Sequence, residues 1–455
     1  MRTWTKLDGL ELPRAGADRI TLQCRFLTWV FGGGEQPKKF DRITRVRPPS
    51  IRGQLRFWWR ATHADLQLAE LRLLEAALFG GVHGGPPIAS AFGVAVSSQP
   101  REPARKEVFR QGDAFKLADD SLRALAYGAF PLRGTDAAKT HDVLWSYGDG
   151  KFTIDLDLVR PLDALPRSNE GRGKRLAELL DRLEREYRAR PTVRSELERA
   201  IWAWLHFGGL GGRTRRGFGA VALDRADGFE LRSIRDGWPA PAARRHAAWA
   251  VLPASPDDAI VEGRPRPNGK EAQEVLLGLL QEVRQGAIGR RENRPRPGRS
   301  FWPEPSAIRH IHRMETGKHG QPIPEARVDA FPRSAFGAPI IFHFKTEPGE
   351  REPPDSTLVP GPADVRAGGT VKPYGRLASP LVLRPHADAS GVRPLALRLE
   401  HPSPPRWALV VRKKVEAVVR GEVDASEASR ITPLVVDGTT FPDPIDMYLQ
   451  RLRNR

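Results

Sequence analysis

Hydrophobic and polar residues alternate over Arg19–Phe26, with Ile20, Leu22, Cys24 and Phe26 on one face and Thr21, Gln23 and Arg25 on the other. A period of two with a single apolar face is the signature of a half-buried strand. The alternation returns at residues 92–96 and 151–159, where Phe152, Ile154, Leu156 and Leu158 repeat it. Between these strands the period lengthens. After Arg47-Pro-Pro-Ser50, residues Leu55, Trp58, Thr62 and Leu66 recur at helical spacing, and Leu71, Leu74 and Leu78 carry the stripe on. Ser50 is the expected N-cap of this long helical pattern, with the two prolines as its boundary. Two more helices are expected at 174–188 and Val193–Phe207, then a glycine-rich stretch and a strand at 217–223.

Strand, helix, strands, helices and strand make a β-α-β-β-α-β unit with insertions. A second such unit is expected from residue 248: a strand at 249–252, a helix at 270–284, and strands at 339–344, 381–384, 395–399 and 407–419. The expected fold class is therefore α+β, with two ferredoxin-like (RRM-like) domains carrying long loop insertions. Their expected extents are 1–240 and 241–455, and a chain of 455 residues is long enough for two cores. Pro- and Arg-rich stretches at 263–268, 292–299 and 348–366 are expected to be exposed or disordered loops.

The glycine-rich stretch reads Gly208-Gly-Leu-Gly-Gly-Arg-Thr-Arg-Arg-Gly-Phe-Gly219. Glycines allow successive N–H groups to turn inward around an anion. Arg213, Arg215 and Arg216 supply phosphate donors at the same place. A nucleotide-triphosphate loop needs Gly-x4-Gly-Lys-Ser/Thr between a strand and a helix. Here there is no lysine and the order is helix then strand, which excludes both that loop and a dinucleotide fingerprint. A flexible connector explains the glycines but not three arginines among them.

Arg52, Arg56 and Arg60 stand four residues apart, so they share one helix face, with His63 in the same arc. Unrelieved like charge at that spacing costs a few tenths of a kcal/mol per pair. Two explanations remain open: a second grip on phosphate, or pairing with acids from elsewhere in the fold. Trp58 and Trp59 fit a core position, and Trp59, at the border, could instead stack on a base.

Lysine and arginine total 73 against 55 acids, a net charge of +18. That excess suits a polyanionic partner. Cys24 is the sole cysteine, which excludes an intramolecular disulfide or a cysteine-based zinc site and fits a reducing cytoplasm. The first residues lack an apolar signal core and no long apolar run follows, so a soluble protein without membrane contact is expected. No metal, cofactor or catalytic cluster is expected. His310 and His312 could share a strand face but lack a third ligand. His141-Asp142, Glu70 and Glu75 read as surface residues. His63 and His206 are the only candidates for an acid–base role in RNA cleavage.

These segments resemble the RAMP superfamily of CRISPR-associated proteins, within it the Cmr-type subunit that begins the type III-B effector operon. The resemblance is carried by Phe26-Leu-Thr28 with Gly32-Gly-Gly34, and by the run Arg47-Pro-Pro-Ser-Ile-Arg-Gly-Gln-Leu-Arg-Phe-Trp-Trp-Arg60. Glu75 before Phe79-Gly-Gly81, Ala89-Ser90, the 208–219 loop, the segment 331–339 and the segment 376–385 continue it. It implies two packed ferredoxin-like folds. It also implies contact with guide CRISPR RNA and paired target RNA near the guide's 3′ end, other Cmr-type subunits as partners, and no nuclease activity in this chain. On the leading reading, a guide-RNA-binding subunit, the candidate RNA contacts are Arg47, Arg52, Arg56, Trp59, Arg60, Gly211, Gly212, Arg213, Thr214, Arg215, Arg216, Gly217 and Arg376. The competing reading is a metal-independent endoribonuclease of the same superfamily that processes guide precursor RNA.

Overall fold

The computed structural model describes residues 18–32, 44–82, 85–101, 104–106, 108–110, 113–117, 122–130, 144–146, 150–165, 167–240, 248–285, 290–292, 297–314, 328–344, 351–370, 375–388 and 391–455. Strand β1 (Arg19–Phe26) lies at the centre of the first sheet, and its burial alternates as the side-chain pattern requires. Helix α1 covers Pro48–Ala61. Its N-cap is Arg47, with extended backbone and no side-chain cap, so Ser50 sits inside the first turn. The prolines are therefore inside the helix and do not mark a boundary before it. Proline at the first helical positions lacks only an N–H that would have no partner there. The apolar stripe also breaks after Ala61 and resumes in α2 (Leu68–Phe79), which Gln67 and Glu70 cap reciprocally.

Strand β2 (Phe92–Ser98), the short helix α3 (Arg123–Gly128) and strand β3 (Lys151–Leu158) follow. Helices α4 (Glu170–Tyr187) and α5 (Val193–Phe207) come next, and β4 (Val221–Asp227) completes the sheet in the order β2-β3-β1-β4. All three neighbouring pairs are antiparallel. Ile20 faces Leu156, Leu22 faces Ile154 and Cys24 faces Phe152, so inward residues meet across the ladder. Strand β4 begins at Val221, four residues later than expected, because residues 217–220 belong to the loop.

In the C-terminal half, β5 (Ile260–Glu262) precedes α6 (Gly269–Arg284), whose first turn accepts the Asn268 cap. Helix α7 (Glu304–Ile311), β6 (Ile340–Phe342) and β7 (Ser356–Gly361) come next. They are followed by β8 (Leu381–Asp388), β9 (Gly391–Arg398), β10 (Arg406–Val411), β11 (Lys414–Val419) and α8 (Pro444–Arg453). Strands β5, β9 and β8 form one antiparallel sheet, and β6, β7, β10 and β11 form another.

Three expectations change here. Residues 249–252 make a single bridge, Val251 to Glu400, in place of a strand. Residues 407–419 fold back as a hairpin through Arg412 and Lys413, both at positive φ. The stretch 348–366 contains β7, whose Leu358 and Val359 are fully buried, so it contributes to a core. Elsewhere, Arg290–Glu292 pairs with Pro297–Ser300, and the loop at 263–268 hydrogen-bonds along β9 through the Gly263 and Arg266 amides.

The two halves interlock. Val382, Leu395 and Leu397 join the core beneath the first sheet, while Phe218 and α3 join the core around α6 and α8. Arg384 on β8, 1 % exposed, reaches across to donate to the carbonyls of Leu205 and Val221. Burial pushes its pKa down to about 9, and the two carbonyls take the place of a counter-ion.

Candidate nucleic-acid interface

The loop after α5 is a tight return. Leu210 N–H donates to the Gly219 carbonyl, Gly219 N–H to the Trp29 carbonyl, and the Thr28 hydroxyl bridges the Gly217 carbonyl and the Ala220 amide. A side chain at Gly219, at φ 63°, would put its Cβ 1.9 Å from the Leu210 carbonyl oxygen. At Gly208 a Cβ would stand 2.5 Å from the Trp58 indole nitrogen. These glycines thus serve close backbone packing. Arg216 N–H donates to the Arg213 carbonyl and Gly217 N–H to the Thr214 carbonyl. That leaves Gly211 and Gly212, Arg213 and Thr214 as the stretch of loop turned outward, each partly exposed.

The three loop arginines separate by role. Arg215 donates to the Ser379 carbonyl at 2.6 Å and lies over the Phe57 ring at 5.2 Å, fastening the loop to both α1 and the C-terminal half. Arg213 and Arg216 form no ion pair with any described residue. Burial lowers the pKa of both, and that of Arg216 falls to about 10 through burial and then the neighbouring Arg284. Arg213 holds a left-handed backbone at φ 61°, a conformation that costs a non-glycine residue about 1–2 kcal/mol.

On α1, Arg56 and Arg60 both donate to Glu75, each at 2.5 Å. Glu75 is 3 % exposed, which corrects its reading as a surface residue. The arginine stripe is thus relieved by an acid from α2, and one carboxylate between two guanidiniums leaves a net positive charge on a half-exposed face. Arg52 leans over the Phe92 ring and donates to the Phe92 carbonyl at 3.3 Å. Trp59 is fully buried and donates to Glu196 at 2.7 Å, so it cannot stack on a base. Arg47 is partly exposed at the helix start, and Arg376 is exposed three residues before Ser379. Arg376 is thereby brought near Arg215 by the chain.

Residues 23–222 match the family model described as RAMPs, the RAMP superfamily. Over those residues the chain is similar to the RAMP superfamily. No curated protein matches the sequence. Among solved structures, apo Cmr1 from Pyrococcus furiosus is similar at 14 % identity and a TM-score of 0.40, covering 88 % of this chain and 93 % of that one. A chain of the type III-B Cmr-beta complex bound to cognate target RNA gives 12 % identity and a TM-score of 0.43, covering 91 % and 98 %. A chain of a type IV-B CRISPR complex gives 13 % and 0.26, covering 47 % and 92 %.

Both candidate histidines are buried. His63, fully buried, lies 3.0 Å from Glu196 and 2.8 Å from the Trp59 carbonyl. His206, 5 % exposed, meets His386 of β8 at 3.0 Å and the Arg232 carbonyl at 2.9 Å. Burial, and then His386, lowers the His206 pKa to about 3. A base held neutral in the folded state contributes stability that is complete above its unfolded pKa of about 6.5. That contribution shrinks as pH falls from there toward 3. We expect urea midpoints to decline over this window, and a His206→Phe variant, matched to the apolar neighbours, to show a flatter decline.

His310 lies on α7 and not on a strand, with His312 just past its end; His141 and Asp142 lie outside the described residues. Among the described residues no three His, Cys, Asp or Glu side chains are grouped to hold a metal, and no helix is long and apolar enough to cross a membrane. A groove of about 1350 Å³ opens elsewhere, lined by Asp65, Arg182, Tyr187, Arg199, Trp202 and Trp238 among others. None of the thirteen candidate RNA contacts lines it, and its carboxylates outnumber its guanidiniums. Phosphate would not be drawn there.

The buried roles of Arg384, Glu196 and Glu75 are missed by the sequence pattern. Arg384 carried one usable sign, since a lone arginine directly after the apolar run Leu381–Leu383, on the same strand, has to be satisfied internally.

Proposed function

We propose that this chain is a non-cleaving RNA-binding subunit of a type III-B CRISPR effector. In this reading it holds guide RNA and the paired target near the guide's 3′ end, beside other Cmr-type subunits. The observation that carries it is the pair Arg213 and Arg216, presented by the loop after α5 without a carboxylate partner among the described residues. A basic loop that the fold leaves uncompensated suits a phosphate backbone. The motif Arg47–Arg60 supports the assignment to the Cmr-type subunit, and α1 stands against the loop through Phe57 and Arg215. The strand order β2-β3-β1-β4 supports reading the first half as ferredoxin-like. The order β5-β9-β8, with α6 and α8 packed against it, supports a reduced version of that unit in the second half. A division at residues 240/241 belongs to the same proposal.

Burial of His63 and His206 favours the non-cleaving reading over the endoribonuclease. The test is incubation of the purified chain with single-stranded and repeat RNA in EDTA. The expected result is binding that weakens steeply as salt rises, with little base preference and no cleavage. Affinity independent of salt would sink the RNA grip. Site-specific cleavage lost on His63→Ala or His206→Ala would sink the non-cleaving role.

A further inference from the structure

The groove of about 1350 Å³ that no candidate RNA contact lines runs against the charge of the rest of the chain. Asp65, Glu70, Glu186, Glu198, Glu230 and Asp236 line it, against the four guanidiniums of Arg182, Arg188, Arg199 and Arg232. The lining is therefore acidic, within a protein of net charge +18. Two of those guanidiniums are already engaged. Arg182 lies 2.9 Å from Glu70 and 2.7 Å from Glu186, so one cation serves two acids. Arg199 lies over the Tyr187 ring at 5.5 Å and reaches His63 at 3.1 Å. Asp65 accepts from the Tyr187 hydroxyl. Glu230 is exposed and forms no ion pair with any described residue. Asp236 accepts from the Ser233 hydroxyl at 2.6 Å and likewise has no cation among the described residues.

Aromatic rings make up much of the remaining wall. Trp202 and Trp238 meet edge to face, with centroids 6.1 Å apart and planes at 90°. Their indole N–H groups are spent on the Ser233 and Pro253 carbonyls, at 3.1 and 3.0 Å, so they offer ring surface and no donor. Tyr187 and Phe229 line the same groove. The wall is fixed before anything binds. A Cβ at Gly237 would lie 2.2 Å from the Trp202 indole nitrogen, so only glycine lets the chain pass this close to α5. The Leu252 amide donates to the Ala61 carbonyl at 2.7 Å and ties the next stretch of lining to α1. A preformed surface spares its ligand the cost of ordering it.

Acids beside aromatic faces favour a flat, delocalised cation. A guanidinium pairs with a carboxylate through two parallel N–H groups and also lies against a ring, which an ammonium does less well. Phosphate is repelled, which argues against nucleic acid as the occupant. The volume exceeds the ~300–1,000 Å³ typical of small-molecule sites. The carboxylates also come from four separate stretches of chain, so a single arginine would leave most of them unanswered. We propose that the groove is the docking site for an extended, arginine-bearing segment of a partner protein. It is separate from the loop after α5, and neither reading rests on the other.

The probe is a fluorescently labelled hexa-arginine peptide, followed by anisotropy on the full chain. It should bind despite the protein's net charge of +18, and more weakly as salt rises. Glu230→Arg should weaken binding about tenfold and Glu230→Gln severalfold. Glu416→Arg, the same reversal at an exposed position on β11, should change it little. Hexalysine, of equal charge, should bind severalfold more weakly than hexa-arginine. Oligouridylate affinity should respond to Glu230→Arg no more than to Glu416→Arg. Circular dichroism verifies that the variants fold. Hexa-arginine that does not bind the wild type, or that binds Glu230→Arg as well as Glu416→Arg, overturns the site. Hexalysine bound equally tightly overturns the assignment to arginine. Loss of oligouridylate binding in Glu230→Arg alone makes the groove an RNA site and overturns the proposal. A wild-type dimer in light scattering that Glu230→Arg dissociates gives the groove to a second copy and overturns the partner protein. Hexa-arginine bound as expected by protein that fails to bind oligouridylate upholds the site and overturns only the RNA reading.

Discussion

Replacing Glu196 with alanine is expected to destabilise the protein by about 3–5 kcal/mol, the usual cost of removing one partner from a buried ion pair. Glu196 is 1 % exposed on α5 and accepts from the Trp59 indole while facing His63. Burial pushes its pKa up, but Arg199, His63 and the indole outweigh that and hold it at about 2. Without it, Arg199 is left half-buried beside His63 at 3.1 Å, with Tyr187 and Asp65 as its remaining partners. The measurement is urea unfolding followed by tryptophan fluorescence, which Trp59 itself reports. Glu196→Gln keeps an acceptor for the indole and should fall between wild type and alanine. Pairing Glu196→Gln with Arg199→Met should recover part of the loss, because neither charge is then stranded. A loss below about 1 kcal/mol for Glu196→Ala would show that the network does not hold α1 against α5.

Much of this frame could be read in the sequence, and the reasons it could are local. Alternation marked β1 because every second residue enters the core, and Val193–Phe207 was delimited by Thr192 in front and Gly208 behind. The missed elements lack that local support. Strand β7 carries Pro360 in the middle of a Pro-rich region, and its burial comes from Trp407 and Leu409 opposite, about fifty residues away. The β10–β11 turn is made by Arg412 and Lys413 at positive φ, where sequence habit expects Asn-Gly. The interface was legible as composition but not as division of labour. Three arginines in one loop look alike in a string, and only packing shows that Arg215 is fastened to Ser379 while Arg213 and Arg216 are not. Likewise the stripe on α1 implied repulsion, and Glu75, fifteen residues beyond Arg60, resolves it through a helix that folds back.

That division of labour sets the second large effect, which is on RNA binding. The double variant Arg213→Gln with Arg216→Gln should lose about 100-fold in affinity, since each charged hydrogen bond to phosphate is worth about 1.5 kcal/mol or more. The slope of log affinity against log salt should fall by about two, close to 0.9 per phosphate contact. Arg56→Gln with Arg60→Gln removes the same formal charge but is expected to cost severalfold at most, because Glu75 already offsets one of those two cations. Glu75→Gln reverses that compensation and should tighten RNA binding while weakening the fold. Filter binding of one RNA across a salt series, with circular dichroism to verify folding, reads all four proteins together. If the α1 pair proved as costly as the loop pair, the stripe and not the loop would be the principal grip, and the RNA path would have to run along α1. The opposite order places the backbone against Arg213 and Arg216, and leaves α1 to position the loop through Phe57.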